Sequence, residues 1–384
     1  MDKQTLLMLP GPTNVPPRVM RAMIKPMMNH RGREFEEMYE GLIENLKLIF
    51  ETKNDIVVLS ASGTGGVECA IANLLSRGDK MIVAVNGVFS QRVKETVEAY
   101  GAAPMEIPVK WGSAVKPREV EEQLQRNPDA KAVAVVYNET STGVTTRTLK
   151  EVGDICKDRG VLFVVDAISI LGGDKLPVDE WNIDFCITGS QKCLMTPPGL
   201  SVVSVSDKAW SVIEKAKTRY YFDLLAYRKF YQDRRQTPYT PAVPLLFALD
   251  EAVKMIKEEG MKQRIRRHEV CAEATYAALE ALHISLPAEP ESRSHVVIAA
   301  NNPPGISDEM IRKQLLSRYN IAIAGGMGKL KGTMFRIGVM GMVDEAMICT
   351  TVTALEAVLA DLKYEFKAGE GLAAAKEVFA RNPL

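Results

Sequence analysis

The sequence predicts an α/β protein: a large domain on a mixed, mostly parallel sheet covered by helices, joined to a smaller α+β domain. Three observations carry this. Between residues 55 and 206, short β-branched runs alternate with amphipathic stretches. Those runs are apolar throughout, as strands read when helices cover both faces of a sheet. After 206 the rhythm changes, and helical patterns dominate before short strands return.

In order, strands are expected at 55–60, 80–85, 102–109, 131–137, 161–167, 184–188 and 200–205. Helices are expected between them at 65–75, 90–100, 117–125 and 147–160. The aromatic-rich segment 218–244 has little clean periodicity and reads as a long functional loop. Helical patterns fill 245–282, and strands follow at 294–300, 321–325 and 334–340, with helices at 307–318 and 343–363. Residues 20–258 are assigned to the large domain, and 1–19 with 259–384 to the small one. The Pro- and Gly-rich first twenty residues are expected to drape across the domains, and the tail after 365 to form a short helix.

Composition narrows the function. Lys+Arg and Asp+Glu are equal at 48 each, so no global field points to nucleic acid or an anionic membrane. The opening MDKQTLLMLPGP is too soon broken by proline for a signal peptide, and no run approaches the roughly 20 apolar residues of a membrane span. Six dispersed cysteines without C-x-x-C spacing read as reduced thiols. A soluble, cytoplasmic protein is the expectation.

Ligands in open α/β sheets bind beyond the carboxyl ends of strands. The first strand ends in SASGTGG (60–66), a Gly-rich turn into a helix that suits a phosphate, with Ser62 and Thr64 adding hydroxyls. It is neither a dinucleotide fingerprint, since Glu68 stands at the third glycine, nor a Walker loop, and an ordinary capped turn is the bland alternative. Asp166 closes the wholly apolar run VLFVVD, where it caps a turn or holds a positive group on a ligand. Lys192, in ITGSQKCLMTPPG, follows the next strand; an ammonium placed there is paired, surface-bound or a nucleophile. The four histidines are scattered, and no set has metal-ligand spacing.

Lysine amine, strand-end carboxylate and anion cradle together are what pyridoxal 5′-phosphate (PLP) requires: a Schiff-base lysine, a partner for the pyridine nitrogen and a phosphate site. Phe89, past the strand KMIVAV, either lies on a cofactor ring or packs in the core. Arg336, in the apolar MFRIG, either binds a carboxylate or forms an internal salt bridge.

The motifs PGPTNVPP (10–17), SGTGGVE (62–68), NGVFSQR (86–92), NETSTGV (138–144), VDAISILGG (165–173), TGSQKCLMTPPG (188–199), TPYTPAV (237–243) and FRIG (335–338) follow one another in an order that resembles the class V aminotransferases. Within them the sequence is most similar to the alanine–glyoxylate, serine–pyruvate and serine–glyoxylate group, over nearly all of the chain to about residue 362. The resemblance implies a fold type I PLP-dependent transferase with active sites shared across a homodimer. It places Lys192 and Asp166 as the catalytic pair, Phe89 and Ile168 on the two ring faces, and Thr140 on the ring-hydroxyl side. Thr64, Gly65, Gly66 and Gln191 would hold the phosphate, and Thr240 with Tyr239 would reach the partner's. Arg336 would bind the substrate carboxylate, with Gly11 nearby. Pro10 stands where many relatives have glycine, and Gly66 where some have histidine. The implied reaction is ping-pong transamination from a small amino acid, alanine or serine, to glyoxylate or pyruvate. Other donors (aspartate, phosphoserine, aminoethylphosphonate, pyridoxamine), cysteine desulfuration and a non-enzymatic binding protein are the rivals. His30, Arg31 and the 218–240 segment are expected around the side-chain pocket, where a further arginine would admit an acidic donor.

Overall fold

A computed structural model describes residues 4–215 and 219–383. The chain opens with β1 (Leu6–Leu7), α1 (Pro17–Ala22) and α2 (Arg33–Phe50). An alternating series follows: β2 (Asp55–Leu59), α3 (Gly63–Leu74), β3 (Lys80–Val85), α4 (Val88–Ala99), β4 (Ala103–Pro108), α5 (Pro117–Arg126) and β5 (Ala132–Val136). A small hairpin, β6 (Asn138–Glu139) and β7 (Val144–Thr145), precedes α6 (Leu149–Asp158), β8 (Leu162–Asp166), β9 (Phe185–Gly189) and β10 (Ser201–Val205). Then come α7 (Asp207–Ile213), α8 (Leu224–Arg234), α9 (Val243–Glu259) and α10 (Met261–Ala281). The chain closes with β11 (Val297–Asn301), α11 (Asp308–Tyr319), β12 (Ile321–Ala322), β13 (Ala324–Gly325), β14 (Met334–Gly338), α12 (Glu345–Asp361) and α13 (Glu370–Arg381).

The main sheet has seven strands in the order β2-β10-β9-β8-β5-β3-β4. All neighbours pair in parallel except β10, which runs antiparallel to both β2 and β9. Its strands are buried along both faces because separate helix layers cover them, one including α2, α5, α6 and α9, the other α3, α4 and α7. The third large core joins α10, α12 and α13 to the three-stranded sheet β11-β14-β13. β1 pairs in parallel with β12, so the N-terminal segment begins against the C-terminal part. It then crosses to the main sheet, where the Thr13 N–H donates to Gln191 O at 3.1 Å.

The strands of the main sheet and the helices between them lie where the sequence predicts, within a residue or two. The segment 218–244 does not remain a loop: residues 224–234 form α8, capped by the Asp223 carboxylate, which accepts the Leu225 N–H at 3.2 Å. Its first residue, Thr218, lies outside the described residues. α2, the β6–β7 hairpin and α1 have no counterpart in the sequence reading. The tail after 365 does fold into a helix, α13, against α10 and α12.

Candidate active site

The carboxyl ends of β3, β5, β8 and β9 open onto one cavity of about 150 Å³, at the point in the sheet where the strand order reverses. Strand geometry delivers each wall. β3 ends just before Phe89, β5 leads to Asn138 and Thr140, β8 ends on Asp166 with Ile168 beyond, and β9 leads to Gln191 and Lys192. A fifth wall is the start of α3, with Ser62, Gly63 and Thr64.

The α3 start is a capped turn. Ser62 Oγ accepts the Gly65 N–H at 3.4 Å, and Ser62 O accepts the Gly66 N–H at 3.2 Å. A Cβ at Gly63 would stand 2.8 Å from the Ile168 side chain, and one at Gly66 would stand 2.2 Å from Ser201 Oγ. Glycine at 63 and 66 therefore lets the helix start sit close to the sheet. Of the four residues proposed for the phosphate, Thr64 and Gln191 line the cavity, while Gly65 and Gly66 sit behind its wall. Gln191 Oε1 is buried without a hydrogen-bond partner among the described residues.

Asp166 is buried, and its Oδ1 accepts the Ile168 N–H at 2.9 Å. Burial raises its carboxyl to about 7, against the help of that N–H, with Glu139 adding like-charge repulsion and Lys192 and Arg92 opposing it. Burial likewise lowers the Lys192 amine to about 8, against the pull of the Asp166 carboxylate. The Lys192 ammonium donates to the Pro10 carbonyl. A Cβ at Gly11 would stand 2.5 Å from Lys192 Cδ, so only glycine leaves room for the lysine stem beside this segment. Thr13 Oγ1 donates to Lys192 O at 3.3 Å. Pro10, Gly11 and Thr13 thus surround the lysine.

Arg336 is buried on β14. Its Nε donates to Gly325 O at 2.9 Å and its Nη1 to Thr140 O at 3.0 Å, while Nη2 has no partner among the described residues. Among the described residues no carboxylate pairs with it, so the internal salt bridge is not formed there, and burial lowers its guanidinium to about 10. Tyr239 and Thr240 do not line the cavity: the Tyr239 hydroxyl donates to Tyr220 O at 2.9 Å, and Thr240 Oγ1 lies 3.5 Å from His30 Nε2. Arg31 donates to Thr237 O at 2.5 Å and Pro238 O at 3.0 Å. Arg228 and Arg235 pair with Asp55 and Glu40. These three arginines hold the chain in shape.

Sequence reasoning missed Asn138, Ser169 and Arg92 as cavity residues. Asn138 Nδ2 donates to Ser169 Oγ at 2.9 Å, and the Arg92 guanidinium lies 5.0 Å from the centre of the Phe89 ring. Arg92 follows Phe89 by three residues on a helix, a spacing that puts both on one face. Asp174, Glu269 and His295 form a group of three possible metal ligands, but Asp174 Oδ2 already pairs with Arg147 at 2.5 Å and none of the three lines the cavity.

The family model for aminotransferase class-V matches residues 5–354. The chain belongs to the class V aminotransferases. This aminotransferase is 45% identical to an uncharacterized aminotransferase of Methanocaldococcus jannaschii, over 98% of both chains. It is 41% identical, over 99% of its length and 100% of the relative, to a Synechococcus protein named as the small subunit of a soluble hydrogenase. Identity to a serine–glyoxylate aminotransferase of Methylorubrum extorquens is 37%, over 98% of this chain and 96% of that one. Among solved structures it is similar to the ureidoglycine–glyoxylate aminotransferase of Bacillus subtilis, with a TM-score of 0.95 and 32% identity over 99% of each chain. The aminotransferase thus has the fold type I architecture expected of it.

The residues present fit PLP. A buried carboxyl of the kind a pyridine nitrogen needs lines one cavity with a lysine amine, and the α3 start, with the Ser62 and Thr64 hydroxyls and the NH₂ group of Gln191, suits a phosphate.

Proposed function

We propose that this aminotransferase moves an amino group from a small L-amino acid, alanine or serine, to glyoxylate or pyruvate by ping-pong transamination with PLP. The observation that carries this reading is the Lys192 amine and the Asp166 carboxyl on one cavity, with Phe89 and Ile168 on its walls. PLP, when bound, supplies an electron sink for charge developing at the donor's α-carbon. Lys192 Nζ would hold the cofactor and would take the α-proton; with its pKa at about 8 the neutral amine is available near neutrality. Asp166 would hold the proton on the ring nitrogen, and Ser62, Thr64 and Gln191 would hold the phosphate. Arg336, fixed by two carbonyls, offers Nη2 to the substrate carboxylate.

Relatives bear glyoxylate in their names beside serine, aspartate, ureidoglycine and alanine, which supports glyoxylate as acceptor more firmly than any one donor. Arg31, Arg228 and Arg235 are engaged by other partners, which supports a small uncharged donor, while Arg92 on the cavity wall is the further cation an acidic donor such as aspartate would need. Cysteine desulfuration is disfavoured because the buried Cys193 thiol donates to Ser169 O at 3.3 Å and burial raises it to about 11. The hydrogenase name of one relative finds no counterpart: among the described residues no group of three possible metal ligands includes a cysteine.

The test is the visible absorbance of the PLP-loaded protein with alanine, serine and aspartate added separately. A band bleached by one donor and restored by glyoxylate or pyruvate establishes both half-reactions and names the donor. No band after PLP is supplied, and no borohydride-stable label on Lys192, would sink the reading.

A further inference from the structure

Glu139 is a fully buried carboxylate beside the cavity, outside the roles assigned so far. It has no ion-pair partner among the described residues. Its Oε2 accepts the Phe89 N–H at 3.0 Å and the Ser90 N–H at 2.9 Å, with Ser90 Oγ at 3.1 Å. Its Oε1 accepts the Ser141 N–H at 3.1 Å and the Ser141 hydroxyl at 2.6 Å. Ser141 Oγ in turn accepts the Val88 N–H at 2.9 Å. The first turn of α4 is therefore capped by a carboxylate from the distant β6–β7 hairpin, at the positive end of the helix. The fit needs glycine at 87, since a Cβ there would stand 2.3 Å from Glu139 Cδ.

One end of this link walls the cavity, and the other leads to Arg336, proposed above for the substrate carboxylate. On one side the carboxylate fixes the backbone of Phe89, which walls the cavity. On the other it fixes the turn whose next residue, Thr140, gives its carbonyl to Arg336 Nη1 at 3.0 Å. A buried anion without a cation is costly unless several donors satisfy it, and here the donors are the site's own backbone. A neutral amide would face those donors with an NH₂ group on one side.

We propose that Glu139 is a positioning residue that sets the Phe89 wall and the Arg336 guanidinium relative to one another. The inference rests on the PLP-dependent reading above. It predicts that losing the charge weakens cofactor and substrate carboxylate together, although Glu139 touches neither.

The experiment compares E139Q with V97A, which empties core volume in the same helix away from the cavity, so that loss of stability alone is controlled. E139Q is expected to weaken PLP binding by the cofactor-free protein about 10-fold or more and to raise KM for the amino donor about 10-fold, the scale of one or two lost charged hydrogen bonds. It should also flatten the visible circular dichroism of bound PLP, which reports how the ring is held. V97A should lower Tm and leave all three readouts unchanged. E139Q matching wild type in PLP affinity, dichroism and KM overturns the proposal. A wild-type protein that binds no PLP at all would instead sink the proposed function. Should E139Q not fold, S141A, which removes one donor to Glu139 and the acceptor of the Val88 N–H, is read in the same three assays. A smaller loss of the same kind supports the link, and no change overturns it.

Discussion

Asp166 and Lys192 are ionisable groups whose surroundings push their pKa values toward each other, the acid up to about 7 and the amine down to about 8. For the acid, the folded pKa lies above the unfolded one, so the stabilising contribution is fully present below about 4 and is lost as pH rises through about 7. In cofactor-free protein, D166N should remove that slope from a plot of Tm against pH between 5 and 8, while weakening PLP binding. A wild-type slope surviving intact in D166N would mean that another group carries it. The amine has the opposite sense: its neutral form is the nucleophile, so the rate of reductive labelling at Lys192 should rise about tenfold per pH unit below pH 8 and level off above it. A plateau reached only near 10.5 would show the lysine to be solvated. These residues were legible in the sequence because a charged side chain after an apolar run has few structural uses. The carbonyl that Lys192 meets was not legible, since the Pro10 peptide offers no side-chain signal.

At the scale of elements, Gly338 at the end of β14 is the place where the N-terminal segment is held. Its N–H donates to Met8 O at 2.8 Å, and a Cβ there would stand 1.8 Å from the Leu9 carbonyl oxygen. Gly338→Ala should expel that segment, destabilise the protein by about 2 kcal/mol or more, and expose residues near Leu9 to limited proteolysis. Unchanged Tm and cleavage pattern would show that the segment relaxes around the methyl group. The parallel strands were readable because burial on both faces leaves an unbroken apolar run. The reversal of β10 was not, since such a run reads the same in either direction. α2 buries Phe35, Tyr39, Leu42, Ile43, Leu46, Ile49 and Phe50 at helical spacing, a stripe that a strand-led reading passes over. α8 was hidden for a physical reason: only Leu224 and Tyr227 of its eleven residues are buried, so no apolar stripe forms. The cluster of Asp174, Glu269 and His295 was beyond sequence spacing altogether, because the fold assembles it from three distant segments.

Over the whole molecule, the largest exposed apolar side chains include Ile24 at 82%, Met27 at 68% and Tyr220 at 80%. The first two precede His30, which meets Thr240, and Tyr220 meets Tyr239, so this surface adjoins the residues proposed to reach a partner's phosphate. We propose that it forms the homodimer contact. Ile24→Glu should convert a dimer to monomer in light scattering and weaken PLP binding with it; a wild-type chain that elutes as a monomer with full PLP affinity would end that reading. The pairing of β1 with β12 also sets an order of events during synthesis. Thr5 and Asn320 are 315 residues apart, and the bond between their side chains marks where the first segment docks. At a translation rate of roughly 5–20 residues per second, the N-terminal segment waits about 15–60 s for its partner strand to emerge from the ribosome. Until then the nascent chain displays the apolar run LLML without the strand that pairs with its first two residues. A segment beside the lysine cavity whose partner strand is made 315 residues later is, in the cell, among the last parts of the protein to be finished.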